Sequence, residues 1–331
     1  MKKNNYDFIA LGDTVTDAFI ELQDASVHCD VSKEKCTLSM RFADKIPYKN
    51  VTVVPAVGNS ANASVCAARL GLKSALVTNI GGDIFGKECL SALKAEKVDT
   101  KFVAVHKTFK TNYHYVLLFE GERTILIKHE EFPYEMPDIN DPKWMYLSSL
   151  GNHSLPFHQV LLKYIEEHSD IKLAFQPGTF QIKQGKDKLA GFYKRSELFF
   201  CNKQEAQRIL KTEEGDMKEL LKEMHKLGPK MPVITDGREG AFVYDGSEFW
   251  HMPMYPDPKP PVDRTGAGDS FSSTFTCALA LGHDIPTALS WGPINSMSVV
   301  QRIGARAGLL TKKELDEFLK NAPADYKPKK I

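Results

Sequence analysis

The stretch Asp263-Arg264-Thr265-Gly266-Ala267-Gly268-Asp269 sets two glycines and an alanine directly ahead of the helical run Ser270–Leu281. Residues this small let backbone N–H groups approach a ligand closely. At a helix N-terminus the orphan donors and the macrodipole both favour an anion. The expected chemistry is an anion hole for phosphate at 266–269. Asp269 then has two readings. It is either a capping carboxylate after a tight turn, or a base that takes the proton of an attacking hydroxyl during phosphoryl transfer.

Two further pairs carry chemistry. Asp17 and Asn62 supply an acceptor carboxylate and an amide that both donates and accepts, the arrangement a polyol requires. The same residues also read as a loop-turn aspartate and a helix-capping asparagine. Asn202 and Glu205 stand one helical turn apart, so both side chains can face one point. Mg²⁺ keeps most of its waters, so a hold through water suits this pair; a capping arrangement at a helix start suits it equally. No Walker A motif is present, which disfavours a P-loop kinase.

These residues must be positioned by alternating strands and helices, the pattern of a parallel sheet covered by helices. Strands are expected at Tyr6–Leu11, Ser74–Ile80, Trp144–Leu147, Leu173–Phe175, Glu197–Phe200 and Pro232–Thr235. Helices are expected at Ala61–Leu70, Gly86–Lys97, 155–168, 186–194, 203–226, 267–281, 286–301 and 312–320, with a hairpin about Asp245-Gly246. The alternation breaks where Phe19–Leu22, Leu38–Phe42, Phe102–Val105, Tyr113–Phe119 and Thr124–Lys128 read as strands without intervening helices, the last two joined by a turn at Gly121-Glu122. These are expected to pair into a small sheet over a cleft, a lid formed by about 14–50 and 100–128. With this lid included, residues 1–331 are expected to form a single domain.

Composition narrows the function classes. With 43 basic and 42 acidic residues the net charge is +1, so no electrostatic footprint for nucleic acid or an anionic membrane is expected. The three lysines of 327–330 read as a solvated tail. No run reaches the roughly 20 apolar residues of a membrane span, and the polar lead Met1–Tyr6 is unlike a secretory signal. The six cysteines (29, 36, 66, 89, 201 and 277) have no C-x-x-C spacing, so they are expected to be reduced, mostly packing thiols of a cytoplasmic protein, with a disulfide between the neighbouring Cys29 and Cys36 as the lesser reading.

Six elements in order, from Gly12 to about Leu309, resemble the ribokinase/PfkB carbohydrate kinase family: Gly12 with Asp17, then Val57-Gly58-Asn59-Ser60-Ala61-Asn62-Ala63-Ser64 with Arg69-Leu70-Gly71, then Ile80-Gly81-Gly82-Asp83-Ile84-Phe85-Gly86. Asn202-Lys203-Gln204-Glu205, Thr235-Asp236-Gly237 with Gly240, and the 263–269 stretch follow. The resemblance implies a ribokinase-like three-layer α/β/α sandwich with a mostly parallel sheet and a small β-lid. It implies ATP-dependent phosphorylation of a hydroxyl on a sugar or sugar-like molecule, with Asp269 as base and Gly266, Ala267 and Gly268 as anion hole. Asp17, Gly58, Asn59 and Asn62 would bind the substrate; Asn202, Thr235, Gly237, Gly240 and Thr265 would bind the nucleotide. Mg²⁺ would be organised through water by Asn202 and Glu205. K⁺ would sit by Asp263, Thr265 and the carbonyls around Arg302 and Gly304. A nucleoside (adenosine-type) kinase of the same family and a catalytically silent sugar-binding homologue are the alternatives, and a homodimer through the lid is the expected assembly.

The sequence departs from the family pattern at four places. Val57 replaces a glycine, Arg264 stands where a small residue or proline is usual, Ser273-Thr274 replace smaller residues, and Asn59 stands where ribose-specific relatives tend to carry Lys. Arg264 either clamps a phosphate or points to solvent.

Overall fold

The computed structural model describes residues 6–30 and 36–331. The lead Met1–Asn5 and the 31–35 part of the expected lid lie outside them. Along the chain the elements begin with β1 (Phe8–Leu11), β2 (Val15–Leu22), β3 (Ser26–Cys29), β4 (Cys36–Ser39), β5 (Tyr48–Val57), α1 (Asn59–Arg69), β6 (Ser74–Gly81) and α2 (Ile84–Ala95). Next come β7 (Val103–His106), β8 (Tyr113–Phe119), β9 (Glu122–Leu126), β10 (Trp144–Leu147), α3 (Leu155–Glu167) and β11 (Lys172–Phe175). They continue with α4 (Thr179–Gln184), α5 (Ala190–Arg195), β12 (Ser196–Asn202), α6 (Lys203–Leu210), α7 (Met217–Lys226) and β13 (Met231–Thr235). The chain closes with β14 (Ala241–Tyr244), β15 (Phe249–Met252), α8 (Ala267–Ala280), α9 (Ile285–Val300), α10 (Lys312–Lys320) and β16 (Lys329–Lys330).

Ten strands form the main sheet in the order β16-β15-β14-β13-β12-β11-β10-β1-β6-β7. The pairings from β13 through β7 are parallel, and β14, β15 and β16 add an antiparallel edge. The central strands are buried on both faces, which is why β1 reads FIAL without alternation. Phe8 and Ala10 point into one core, with residues of α1, α2, α8, α9 and α10; Ile9 and Leu11 point into the other, with residues of α3, α5, α6 and α7. The result is helix layer, sheet, helix layer, as expected. Among the described residues no helix is long and apolar enough to cross a membrane.

A separate four-stranded sheet runs β5-β2-β8-β9. In its registers Asp17 lies opposite Val54 and His114, while Glu21 lies opposite Asn50 and Leu118, which itself faces Arg123. Because strand side chains alternate, Asp17 and Arg123 therefore project from the same face.

Several sequence expectations change. Tyr48–Val57 was not anticipated as a strand, since five of its first eight positions are exposed and its pattern YKNVTVVP carries polar breaks and a proline. Phe102–Val105, assigned to the lid, instead pairs as β7 with β6 at the edge of the main sheet. The strand expected at Leu38–Phe42 survives only at Leu38 and Ser39, the end of β4, which pairs with β3 in a hairpin of its own. That hairpin sets Cys29 opposite Cys36, and the two form a disulfide where free thiols were expected; strand pairing, invisible in the spacing, brings them together. The β8–β9 turn is centred on Glu120 and Gly121, both at positive φ, one residue earlier than expected. The 203–226 helix breaks into α6 and α7, with Lys211 in the left-handed region ending the first. The 186–194 helix shortens to α5, α4 is a further short helix ahead of it, and of the three C-terminal lysines, all exposed, Lys329 and Lys330 pair with β15.

Candidate active site

Helix α8 starts at Gly266, whose φ of +81° places it in the left-handed region that glycine tolerates. A Cβ there would also lie 2.3 Å from the Cβ of Ala305, so the turn has room only for glycine. Asp269 sits three residues into the helix and its side chain makes no capping bond. Its carboxylate instead accepts three amides from two other segments, two from α1 and one from the residue that follows β11. Oδ1 takes Asn59 Nδ2 at 2.9 Å and Gln176 Nε2 at 3.1 Å, and Oδ2 takes Asn62 Nδ2 at 2.9 Å.

Gln176 is itself held from behind, its Oε1 accepting from Tyr146 Oη at 2.5 Å and from Ser272 Oγ at 3.2 Å. Burial pushes the Tyr146 phenol well up, so it stays protonated and keeps donating. Asp269 keeps some exposure because it faces open cavity, yet it lies deep among protein atoms. Burial pushes its carboxyl above the usual range, against the pull of the Asn62 and Gln176 donors and of the Arg123 charge. A carboxylate with a raised pKa, oriented by amides and open to a cavity, is suited to accept a proton.

Three cavities lie side by side here, and two of them meet at this residue. The first, of about 260 Å³, is mainly apolar, with Ala241, Tyr255, Phe271, Met297 and Val300 beside Gly237, Gly240 and Gly268. A Cβ on Gly237 or Gly268 would meet nothing within 4 Å, so the backbone at these points borders open space. The second, of about 190 Å³, is lined by Asp13, Asp17, Gly58, Asn59, Asn62 and Asp269, among others. The third, of about 230 Å³, holds Asn202, Glu205, Arg123, Arg264, Gly266 to Asp269 and Gln176. Thr235, Arg264, Ala267 and Gly268 border the first and third, while Asn59 and Asp269 border the second and third. Asp269 thus stands at a junction, and the cavities lie at the carboxyl ends of β12 and β13, the usual ligand edge of such a sheet.

The family model for pfkB family carbohydrate kinases matches residues 29–312. The chain belongs to this family. A ribokinase of Bacillus subtilis is 29% identical over 270 residues, covering 79% of this chain and 87% of the relative. A cytidine kinase of Thermococcus kodakarensis is 30% identical over 258 residues, covering 75% and 88%. The structure of Arabidopsis thaliana ribokinase complexed with ribose and ATP superposes with a TM-score of 0.78 at 20% identity, covering 95% of this chain and 98% of that one. This pfkB-family chain is therefore a kinase that phosphorylates an alcohol.

Most site residues expected from the kinase's sequence fall together. Asp17, Gly58, Asn59 and Asn62 surround the second cavity. Gly58, at φ +109°, must be glycine because a Cβ would lie 2.7 Å from the Asp13 carbonyl oxygen. Asn59 and Asn62 do more than expected, because both donate to Asp269. Asn202 and Glu205 form a reciprocal capping box: Asn202 Oδ1 accepts from Glu205 N at 2.8 Å and Glu205 Oε2 accepts from Asn202 N at 2.9 Å. Both still line the third cavity, where burial, with a smaller push from Asp269, raises the Glu205 carboxyl above its ordinary value. Arg264 is exposed and borders the first and third cavities.

Two placements differ from expectation. Thr265, expected on the nucleotide, borders the second cavity. Asp263, expected on a cation, spends its oxygens on the loop: Oδ1 accepts Thr265 N and Oγ1, and Oδ2 accepts Gly304 N at 2.9 Å. The sequence reading missed Gln176, Arg123, Asp13, His114 and His129. Only Asp13, beside Gly12 at the end of β1, had a motif neighbour that could have flagged it.

Proposed function

We propose that this kinase transfers the terminal phosphoryl group of ATP to a hydroxyl of a sugar or of the sugar part of a nucleoside, with Asp269 as general base. The carrying observation is the Asp269 carboxylate, fixed by three amides where the second and third cavities join. The second cavity takes the acceptor, with Asp17 and Asn62 receiving its hydroxyls. The first takes the adenine, against Tyr255, Phe271 and Met297. The third takes the triphosphate, beside the first-turn N–H groups of α8 and the guanidiniums of Arg264 and Arg123.

The residues fit the donor: an apolar slot leads past glycines with open space in front of them to a helix N-terminus. Glu205 and Asn202 would hold hydrated Mg²⁺, which when bound neutralises phosphate charge. In the reaction Asp269 receives the acceptor hydroxyl's proton as its oxygen attacks, while the small sheet covers the cleft and keeps water from competing. A bound cytidine or other nucleoside is a second reading, supported by the relative named a cytidine kinase and by the Phe180 ring set edge-on to His129 at 5.7 Å beside the acceptor cavity. A second copy is proposed to pair through the small sheet's other face.

Asp269→Asn decides the mechanism. Loss of a positioned base costs about 10²–10⁴ in rate, so turnover in a coupled ADP-release assay is expected to fall at least about a hundredfold with ATP binding retained. A variant that keeps most of the parent's kcat would overturn the assignment.

A further inference from the structure

Charge is divided sharply between the two sides of Asp269. Arginines 123 and 264 border the phosphate-side cavity. The acceptor cavity is lined by three carboxylates (Asp13, Asp17 and Asp269) and, among the described residues, by no lysine or arginine. Its two histidines each lie against one of those carboxylates: His129 Nδ1 is 3.2 Å from Asp13 Oδ2 and His114 Nδ1 is 3.4 Å from Asp17 Oδ1. Asp13 is further engaged by Tyr134, whose hydroxyl donates to it at 2.9 Å.

The hydrogen-bonding capacity left over points the same way. Asp17 Oδ1 is buried without a hydrogen-bond partner, its 3.4 Å approach to His114 lacking hydrogen-bond geometry. Asn62 Oδ1 is also buried and unpartnered. Its orientation is not arbitrary, because Asn62 Nδ2 must donate to the Asp269 carboxylate, which leaves the amide oxygen facing away from it. Both residues are at least nine-tenths buried. Asp17 Oδ1 and Asn62 Oδ1 are acceptors and call for a ligand that donates; His114 Nε2, also buried and unpartnered at this cavity, meets such a ligand as donor or acceptor according to its tautomer. A hydroxyl donates; a phosphate ester or carboxylate only accepts, and would bring negative charge among three carboxylates.

We infer that the acceptor substrate is an uncharged polyhydroxy compound, a neutral sugar or nucleoside, and that the cavity rejects sugars carrying a phosphate or carboxylate group. This rests on the kinase reading above but concerns binding, so the two can fail separately. Val15, Val57 and Ile127 give the cavity an apolar wall for the C–H face of such a molecule. The only anion the site is built to receive enters from the opposite side, where the arginines are.

The test is calorimetry on the full chain with Mg²⁺ and a non-hydrolysable ATP analogue. The ligands are matched pairs: D-ribose and D-fructose with their terminal phosphate esters, D-glucose with D-gluconate, and uridine with its monophosphate. At least one neutral member is expected to bind, with its charged partner weaker by at least about tenfold, since like-charge juxtaposition disfavours a partner strongly. A charged member binding as tightly as its neutral parent, or no neutral member binding, overturns the inference. Coupled ADP release with the same panel separates the two ideas. A neutral member that binds without being phosphorylated supports the substrate class and counts against the mechanism. Preferential phosphorylation of a charged member overturns the class and leaves the mechanism standing.

Discussion

Three amide donors on one carboxylate are an unusual concentration, and each has a measurable consequence. Donors favour the ionised form of Asp269 and oppose the effect of its burial. Gln176→Leu removes one of them, so the carboxyl pKa should rise further. Activity that needs the carboxylate ionised would then fail at higher pH than in the parent. The acid limb of the kcat/KM–pH profile is expected to move to higher pH, and an unmoved limb would remove Gln176 from the base's support. Glu205 separates two roles in the same way. Glu205→Gln can still accept the Asn202 N–H and so keep the cap, but it loses the charge. Because burial raises this carboxyl above its unfolded value, the ionised form is disfavoured in the folded state; that cost is absent at low pH and grows as pH rises through the folded pKa. Removing the charge should therefore leave the Tm at neutral pH unchanged or higher while raising the Mg²⁺ needed for half-maximal rate. Identical Mg²⁺ curves would confine Glu205 to capping. At the acceptor, Asp17→Ala should raise the substrate KM by roughly tenfold or more, from about 1.5–3 kcal/mol for a hydrogen bond to a charged group, with ATP affinity nearly unchanged.

Among the elements, α8 carries both the proposed anion site and the proposed base, so its entry turn is the point where local strain should reach function. Gly266→Ala adds a left-handed penalty of about 1–2 kcal/mol to a clash with Ala305. Thermal unfolding should shift down and ATP binding should weaken together. Normal ATP affinity in a destabilised variant would mean that the turn only shapes the fold. The short helices also show why boundaries drifted. Asn202, Asp216 and Thr311 each cap a helix through their own side chain, and the left-handed Lys211 ends α6 although lysine is no stop signal by composition.

At the scale of the whole molecule, the small sheet has one face on the cleft and another that is apolar and open. Val53, Ala18, Tyr115 and Leu126 lie in one cross-strand row, and Val53, Tyr115 and Leu126 are 46%, 48% and 53% exposed. A row of this kind on a short sheet is what a second copy would cover. Sedimentation velocity should find a dimer for the parent and a monomer for Tyr115→Glu; a monomeric parent would sink this assembly. The opposite face presents Arg123 to the third cavity, proposed for the triphosphate, so Arg123→Ala should lower kcat more than it raises the acceptor KM. The reverse split would place Arg123 in acceptor binding.

The sequence alone determined the layered α/β plan, because strands buried on both faces must be continuously apolar and crossover helices must be amphipathic, as in FIAL before Gly12 and the Cys89/Leu93 face of α2. It also determined the tight turn into α8, since closely spaced glycines before a helix mark a backbone that L side chains would not fit. Tertiary structure decided what no local pattern encodes. Asn59, Asn62 and Gln176 converge on Asp269 across sequence separations of 210, 207 and 93 residues, and an amide gives no sign of its distant partner. Phe102–Val105 went to the main sheet because a strand's propensity does not name its neighbour. Cys29 met Cys36 because hairpin register, not spacing, sets them opposite. Arg123 became a group of the site only when β9 was laid beside β8, with its side chain on the same face as Asp17.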